Sequence, residues 1–431
     1  MASTSHDGDG DGVDGYSPCE DETMLPVDDV DEETDADDDD DPPQDGRPPR
    51  VPDGAIYNIL TLLPPSSVTR SKVTCKNWLS MVSDPSFARD HCAAPGRSVL
   101  VFDGGARHPA TVVDEAGAVR LALRRRRPRR ARRDPMRGYT VQNCCGALAC
   151  LRGSNGGAQL LNPATGEGLD LGGFHRIGHR STWTVADHLP WYCLGRCAST
   201  GEYKVVRLDV RTPFSTPPHV TCEVLALCRD DWDSRLRRIV LPRWKEVGVW
   251  DAIYCPAGRG VHVAGVVYYL AWSVAGSAFI VCFDLLTHEL SKMDLPASDM
   301  VAPSLSELDG QLCLSLVPGG GAAAMRVYVL NDDPKAGKAW FEMYRLELDG
   351  GAARGVPRPL LVVRERRMLV KRADGSLCYY DMDEASGVGA AANEKVVYEH
   401  KGRRRRQQLL SGATADVFVE SLVPLRDILH A

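Results

Sequence analysis

Hydrophobic positions recur along this chain with two different periods, and the change between them falls near residue 97. Ile56, Ile59, Leu60 and Leu63 follow i, i+3, i+4, i+7 spacing, the stripe of an amphipathic helix about three turns long. Pro64-Pro65 ends it, because proline removes a backbone donor and biases its predecessor away from the helical region. The spacing predicts a second helix that carries Val68 and Val73 into Cys75, Trp78, Leu79 and Val82 and stops at Ser83-Asp84-Pro85. Asp84 and Pro85 then suit the start of a third, short helix at Ser86-Phe87. Three such helices over 50–92 cannot bury all their apolar side chains alone, so the surplus must face the rest of the chain or a partner.

From about residue 97 the period is two. Short runs rich in Val, Leu and Tyr alternate with Gly, Asn, Asp and Pro, as in SVLVF (98–102), YKVVRL (203–208), GVVYYL (265–270), FIVCF (279–283) and QLCLSL (311–316). A weak repeat of a strand after a Gly turn, a second strand, an Asn/Asp turn and a third strand recurs over 146–171, 265–295, 308–346 and 366–398. Units of roughly 40–50 residues with three or four strands each predict the blades of a propeller, six or seven in number. The last apolar run, Val417–Val423, would complete a blade and close the ring.

Charge changes the picture at the N-terminus. The 431 residues contain 51 Lys+Arg and 58 Asp+Glu, but residues 1–46 hold 19 acids and no Lys or Arg. The remainder therefore carries 58 − 19 = 39 acids against 51 bases, or +12, so the net −7 describes neither part. The leader is too poor in apolar residues to repay the entropy of ordering and is expected to be a disordered tail. Within it, Asp7-x-Asp9-x-Asp11-Gly12 copies the first half of a calcium loop, but the position that needs a bidentate Glu is Pro18, and a solvated acidic tail is the better reading. No run of 18 apolar residues occurs, and the N-terminus has neither the basic nor the apolar region of a secretory leader. The 14 Cys are scattered, with no C-x-x-C, which predicts reduced, mostly buried thiols in the nucleus and/or cytoplasm, and no membrane association.

No motif predicts a catalytic centre or a cofactor. There is no G-x-S-x-G or H-E-x-x-H; Ala336–Ala339 (AGKA) lacks most of a phosphate loop; and His175 and His179 sit in a Gly-flanked loop without further metal ligands. Two basic runs stand out: Arg124, Arg125, Arg126, Arg127, Arg129 and Arg130 within RRRRPRRARR, and Arg403, Arg404, Arg405 and Arg406. Like charges at this density stay solvated, so both are expected in inter-strand loops, where they serve nuclear import, phosphate contact or docking of an acidic partner, or are only charged loops. Few aromatics accompany them, which argues against nucleic-acid binding through stacked bases.

The string VPDGAIYNILTLLPPSSVTRSKVTCKNWLSMVSDPSF (51–87) resembles the F-box, in particular that of plant F-box proteins. Pro52, Ile59-Leu60, Leu63-Pro64, Val68, Arg70, Val73, Cys75-Lys76, Trp78 and the SDPSF ending carry the resemblance, with departures at Val51, Gly54, Val68 and Thr74. It implies binding of a Skp-type adaptor, and through it a cullin scaffold, by Pro52, Ile59, Leu60, Leu63, Pro64, Val68, Val73, Lys76 and Trp78.

The β region resembles the F-box-associated domain of the same proteins through NPATG (162–166), TGEYKVV (200–206), CEVL (222–225), LDGQL (308–312), Trp340 with Tyr344, and ESLV (420–423). That resemblance implies recruitment of an unknown target protein. The expected architecture is an α+β multidomain chain: a disordered acidic tail over 1–46, a small three-helix F-box over 50–92, and a mostly all-β, β-propeller-like domain over 97–425. The expected function is a non-catalytic substrate receptor of an SCF-type ubiquitin ligase. The alternative is a propeller binding module outside such a complex, nuclear and associated with nucleic acid through the Arg runs. A third reading, an enzyme in the propeller channel, would need convergent polar residues.

Overall fold

The structure, a computed structural model, describes residues 51–91, 97–102, 110–121, 139–154, 156–171, 190–211, 219–227, 232–233, 238–239, 244–251, 259–272, 276–296, 300–318, 324–333, 337–347, 357–363, 367–372, 374–383, 389–399 and 414–429. Of the two compact units, Met1–Val51 and Pro52–Ala431, only Val51 of the first is among them. The acidic tail, both Arg runs, His175 and His179 lie outside the described residues.

Four helices open the second unit: α1 (Asp53–Leu62), α2 (Pro65–Ser71), α3 (Lys76–Ser83) and α4 (Pro85–His91). Pro64 and Pro65 both end α1 and start α2, whose first residue is Pro65, a position where the missing N–H costs nothing. The single second helix expected over 68–82 is broken in two. Cys75 adopts an extended conformation (φ −157°, ψ 168°), and its Sγ accepts the Trp78 N–H at 3.4 Å, capping α3. A thiolate-sized cap is a poor helix-start signal in sequence, which is why continuous spacing disguised the break. Leu60, Val68, Val82, Phe87 and Ala88 form the core of this unit, with Tyr57 edge-on to Phe87 at 5.2 Å.

Among the described residues the rest is six four-stranded blades and a short C-terminal helix, with two-residue strands at Trp232–Asp233 and Arg238–Ile239 extending the sheet of blade 2. Blade 1 contains Arg97–Phe102, Ala110–Asp114 and Val119–Leu121, and its inner strand is the C-terminal Thr414–Val419. Blade 2 runs through Thr140–Cys145, Leu148–Arg152, Ala158–Leu161 and Gly168–Asp170; blade 3 through Trp191–Arg196, Tyr203–Arg211, His219–Ala226 and Lys245–Asp251. Blade 4 contains Val261–Val263, Val266–Trp272, Ala278–Asp284 and Leu290–Asp294. Blade 5 (Met300–Leu308, Gln311–Pro318, Ala324–Asp333, Gly337–Glu347) and blade 6 (Arg358–Val363, Arg367–Lys371, Leu377–Asp383, Gly389–Tyr398) are joined into one sheet where Tyr344 and Arg345 pair in parallel with Gly389 and Ala390.

The ring closes as expected, but with a strand that lies earlier than Val417–Val423: Thr414–Val419 pairs antiparallel with Arg97–Phe102 and completes the first blade, while 420–423 leaves the sheet. One apolar cluster lies between each pair of neighbouring blades. Leu100 and Phe102 point to blade 2, while Val99 and Val101 point to blade 6. Both faces of each strand are therefore buried, which is why the strands read as continuous apolar runs rather than as strict alternation.

One turn repeats around the ring. In Asn162–Glu167, Cys197–Glu202 and Asp284–Glu289 the fifth residue donates its N–H to the first residue's carbonyl at 2.9, 2.9 and 3.0 Å. In each, the Thr hydroxyl accepts the N–H of the closing Glu. The fifth residue has positive φ, supplied by Gly166 and Gly201 and, at 61°, by His288.

Candidate functional site

After the closing strand the chain does not stop. Glu420–Val423 crosses the end of the propeller, and a short helix, α5 (Leu425–Ile428), buries Leu425, Ile428 and Leu429 between blades 2 and 3. Leu422 and Val423 pack into the core of α1–α4. This strap therefore fastens the helical unit to the propeller. Asn162, fully buried (0% exposed), donates from Nδ2 to the carbonyls of Ser421 and Val423 at 3.1 Å each, while its Oδ1 accepts the Ala164 and Thr165 N–H groups. Ser98 donates to Glu420 at 2.7 Å, and the Leu425 N–H reaches Glu167 at 2.6 Å. The NPATG and ESLV strings, 259 residues apart at Asn162 and Ser421, are two halves of one clamp.

The helices present an apolar surface to solvent. Leu62 is 82% exposed, Val73 87% and Ile59 55%, with Leu79 close by in exposure. Of the residues named from the sequence for adaptor contact, Pro52, Ile59, Val73 and Lys76 are exposed, Leu63 and Pro64 half-buried, and Trp78 half-buried against the helical core. Leu60 (1% exposed) and Val68 (0%) lie inside that core and hold up the surface instead of forming it. Leu62 and Leu79 were not among the named residues. With apolar side chains on both sides of α1, spacing alone does not say which side faces inward.

The inner strands of neighbouring blades touch all the way round and enclose a channel. Asn143, Cys144, Gly260, Val261, His262, Glu307, Arg358 and Asp416 line a cavity of about 30 Å³, room for about one or two waters. These polar groups come from five of the six inner strands. Cys145 Sγ lies 3.6 Å from His262 Nδ1, and His262 Nε2 lies 3.0 Å from the Arg196 carbonyl and 3.2 Å from the backbone nitrogens of Arg196 and Gly265. Burial pushes the Cys145 thiol up to about 12 and lowers the His262 imidazole, so both stay neutral. A nucleophilic thiolate–imidazolium pair needs the opposite shifts.

Fold and site together define a small helical docking module clamped to a six-bladed propeller. Residues 49–90 match the F-box domain, and residues 130–346 match the F-box associated beta propeller domain. The second match spans blades 2 to 5, leaving blades 6 and 1 outside it. Two proteins of Arabidopsis thaliana are similar to this chain: Putative F-box protein At3g21120, 24% identical over 63% of this chain and 74% of its own length, and Putative F-box protein At3g21130, 26% identical over 60% and 70%. TolB from Acinetobacter baumannii has a TM-score of 0.38 at 10% identity, over 76% of this chain and 66% of that one, and nothing follows from so slight a likeness. The chain belongs to the family of F-box proteins with an F-box-associated β-propeller, the domain pairing of SCF substrate receptors.

Proposed function

We propose that this chain is the substrate-recognition subunit of an SCF-type ubiquitin ligase. The helices hold a Skp-type adaptor and through it a cullin scaffold, while the propeller holds the protein to be modified. It makes and breaks no bond itself; its contribution is the effective concentration of target next to a ubiquitin-charged enzyme. The observation that supports this reading best is the exposure of Ile59, Leu62, Val73 and Leu79, uncovered among the described residues on a helical unit that is otherwise well packed. Ile59 and Leu62 lie i, i+3 on α1, Leu79 on α3 and Val73 in the turn between α2 and α3, and exposed aliphatic side chains on short helices are what helix-in-groove association uses.

The strap gives the mechanism its geometry. Proximity transfer works only if the two binding faces keep a fixed relation, and Leu422 and Val423 bury the link between them. The test is recovery of a Skp-type adaptor by the full chain and by a Leu62→Lys plus Val73→Lys variant. Both side chains are largely exposed, and a cation at the end of α1 suits the helix dipole, so the variant is expected to keep its fold. Loss of adaptor at an unchanged unfolding midpoint is expected, and equal recovery would refute the assignment.

A further inference from the structure

The inner strands all run the same way. They end at the helices and the strap, as the Val419 N–H bonded to the Gly146 carbonyl marks. Their starts form the opposite end of the channel, and cations gather there. Arg259 lies two residues before the inner strand of blade 4, Arg358 opens that of blade 6, and Lys371 is the cross-strand neighbour of Arg358. Arg152, paired with Thr140 at the start of blade 2, adds a fourth and donates to the Pro190 carbonyl at 3.2 Å.

The arrangement is electrostatically incomplete. Arg259 and Arg358 each donate from Nη1 to the same carbonyl, that of Ala415, at 3.1 and 3.4 Å. The carboxylate in contact is Asp416, which accepts Arg358 Nη2 at 3.1 Å and is also engaged by the Cys144 N–H at 2.6 Å. Arg358 Nε is buried without a hydrogen-bond partner among the described residues. Lys371 has no hydrogen bond or ion pair among the described residues, only the charge of Asp374 nearby. Burial first, and then the neighbouring cations, lower Lys371 to about 7 and Arg259 to about 9. Crowding cations where solvent is scarce is costly unless a counter-charge answers them.

We propose that this end of the channel is an oxyanion site, in which Arg259, Arg358 and Lys371 take a phosphate group. Guanidinium forks suit two oxygens at once, and the lysine adds a point charge. Asp416 pairs with Arg358 and Asp374 lies near Lys371, so the three cations keep a net positive charge, which a bound phosphate would raise further by holding Lys371 in its protonated form. The cavity behind the cluster has room only for water, so the group is held at the channel's end. The site is on the far side from the helices, so its ligand does not compete with anything held there.

The test uses the full chain, with ionic strength held constant by chloride. Inorganic phosphate is expected to raise the thermal unfolding midpoint saturably. Lys371→Gln and Arg259→Gln should each weaken that binding by about tenfold or more, the loss of one charged hydrogen bond. Lys371→Gln should leave the phosphate-free midpoint unchanged or higher, since it removes a strained charge. Acetyl-phosphoserine amide separates the two sources of this chemistry. Its competition with inorganic phosphate shows that a group carried on a polypeptide is accepted, and failure to compete confines the site to the free ion. No rise beyond chloride, or the same rise in both variants, overturns the proposal. Adaptor recovery by Lys371→Gln should match the parent chain, so failure here is distinguishable from failure of the ligase reading.

Discussion

Asn162 offers the sharpest test of how the helices are fixed to the propeller. Replacing it with Ala removes two hydrogen bonds to the strap and two that hold its own turn. The strap carbonyls of Ser421 and Val423 then lose a donor in a largely buried place. At about 1 kcal/mol net per bond, plus the penalty for carbonyls left unpaired, the strap should be destabilised by about 2–4 kcal/mol. Native-state hydrogen exchange reads this locally, as opening roughly thirty- to several-hundred-fold more frequent in 420–429 and in α1–α4, with Val266–Trp272 of blade 4 little changed. Asn162→Asp is the control. It keeps an oxygen for Ala164 and Thr165 but turns an oxygen toward the strap carbonyls, so it should loosen the strap at least as much. Exchange that is unchanged, or that rises equally in every blade, would refute the clamp.

Four further outcomes follow from the same packing. Leu60→Ala should lower stability by about 2–5 kcal/mol, and adaptor recovery should then track the folded fraction, unlike the surface change Leu62→Lys; calorimetry beside pull-down separates them. Gly54, with open space around the site of a new Cβ, should gain about 0.5–1 kcal/mol as Ala, measured by urea unfolding. Gly260→Ala should instead cost about 1–3 kcal/mol, because its Cβ would come within 2.5 Å of Cys193 Cβ and 2.8 Å of Tyr269. Burial raises the thiols of Cys145, Cys150, Cys222 and Cys313 from 9.0 to about 12. The folded chain then keeps protons that the unfolded chain releases, so this stability is intact below pH 9 and is lost as pH rises towards 12. The slope is up to about 1.4 kcal/mol per pH unit for each thiol, and a flat unfolding free energy above pH 9 would contradict it.

The helices and blades were legible in the sequence because burial imposes period. The Ile56–Leu63 stripe and the runs SVLVF and GVVYYL became a helix and two blade strands. The blade count was not legible, because blade 1 is assembled from opposite ends of the chain and blades 5 and 6 share one sheet. The break at Cys75 was hidden by apolar spacing that continues across it. The functional surfaces were harder still. Which side of α1 faces solvent depends on Leu422 and Val423, more than 350 residues onward. The clamp joins NPATG to ESLV, each of which reads alone as an ordinary turn. The channel groups come one or two at a time from separate strands, so no local string contains Arg259, Arg358 and Lys371 together.

The central claim is that the exposed face of α1–α4 binds a Skp-type adaptor, and the most direct measurement is the affinity of the purified full chain for purified adaptor. Micromolar or tighter binding is expected from the parent chain, weakened at least about a hundredfold by Leu62→Lys with Val73→Lys, and unchanged by Lys371→Gln at the far end of the channel. Binding that is absent in the parent chain, or equal in the surface variant, would contradict the account.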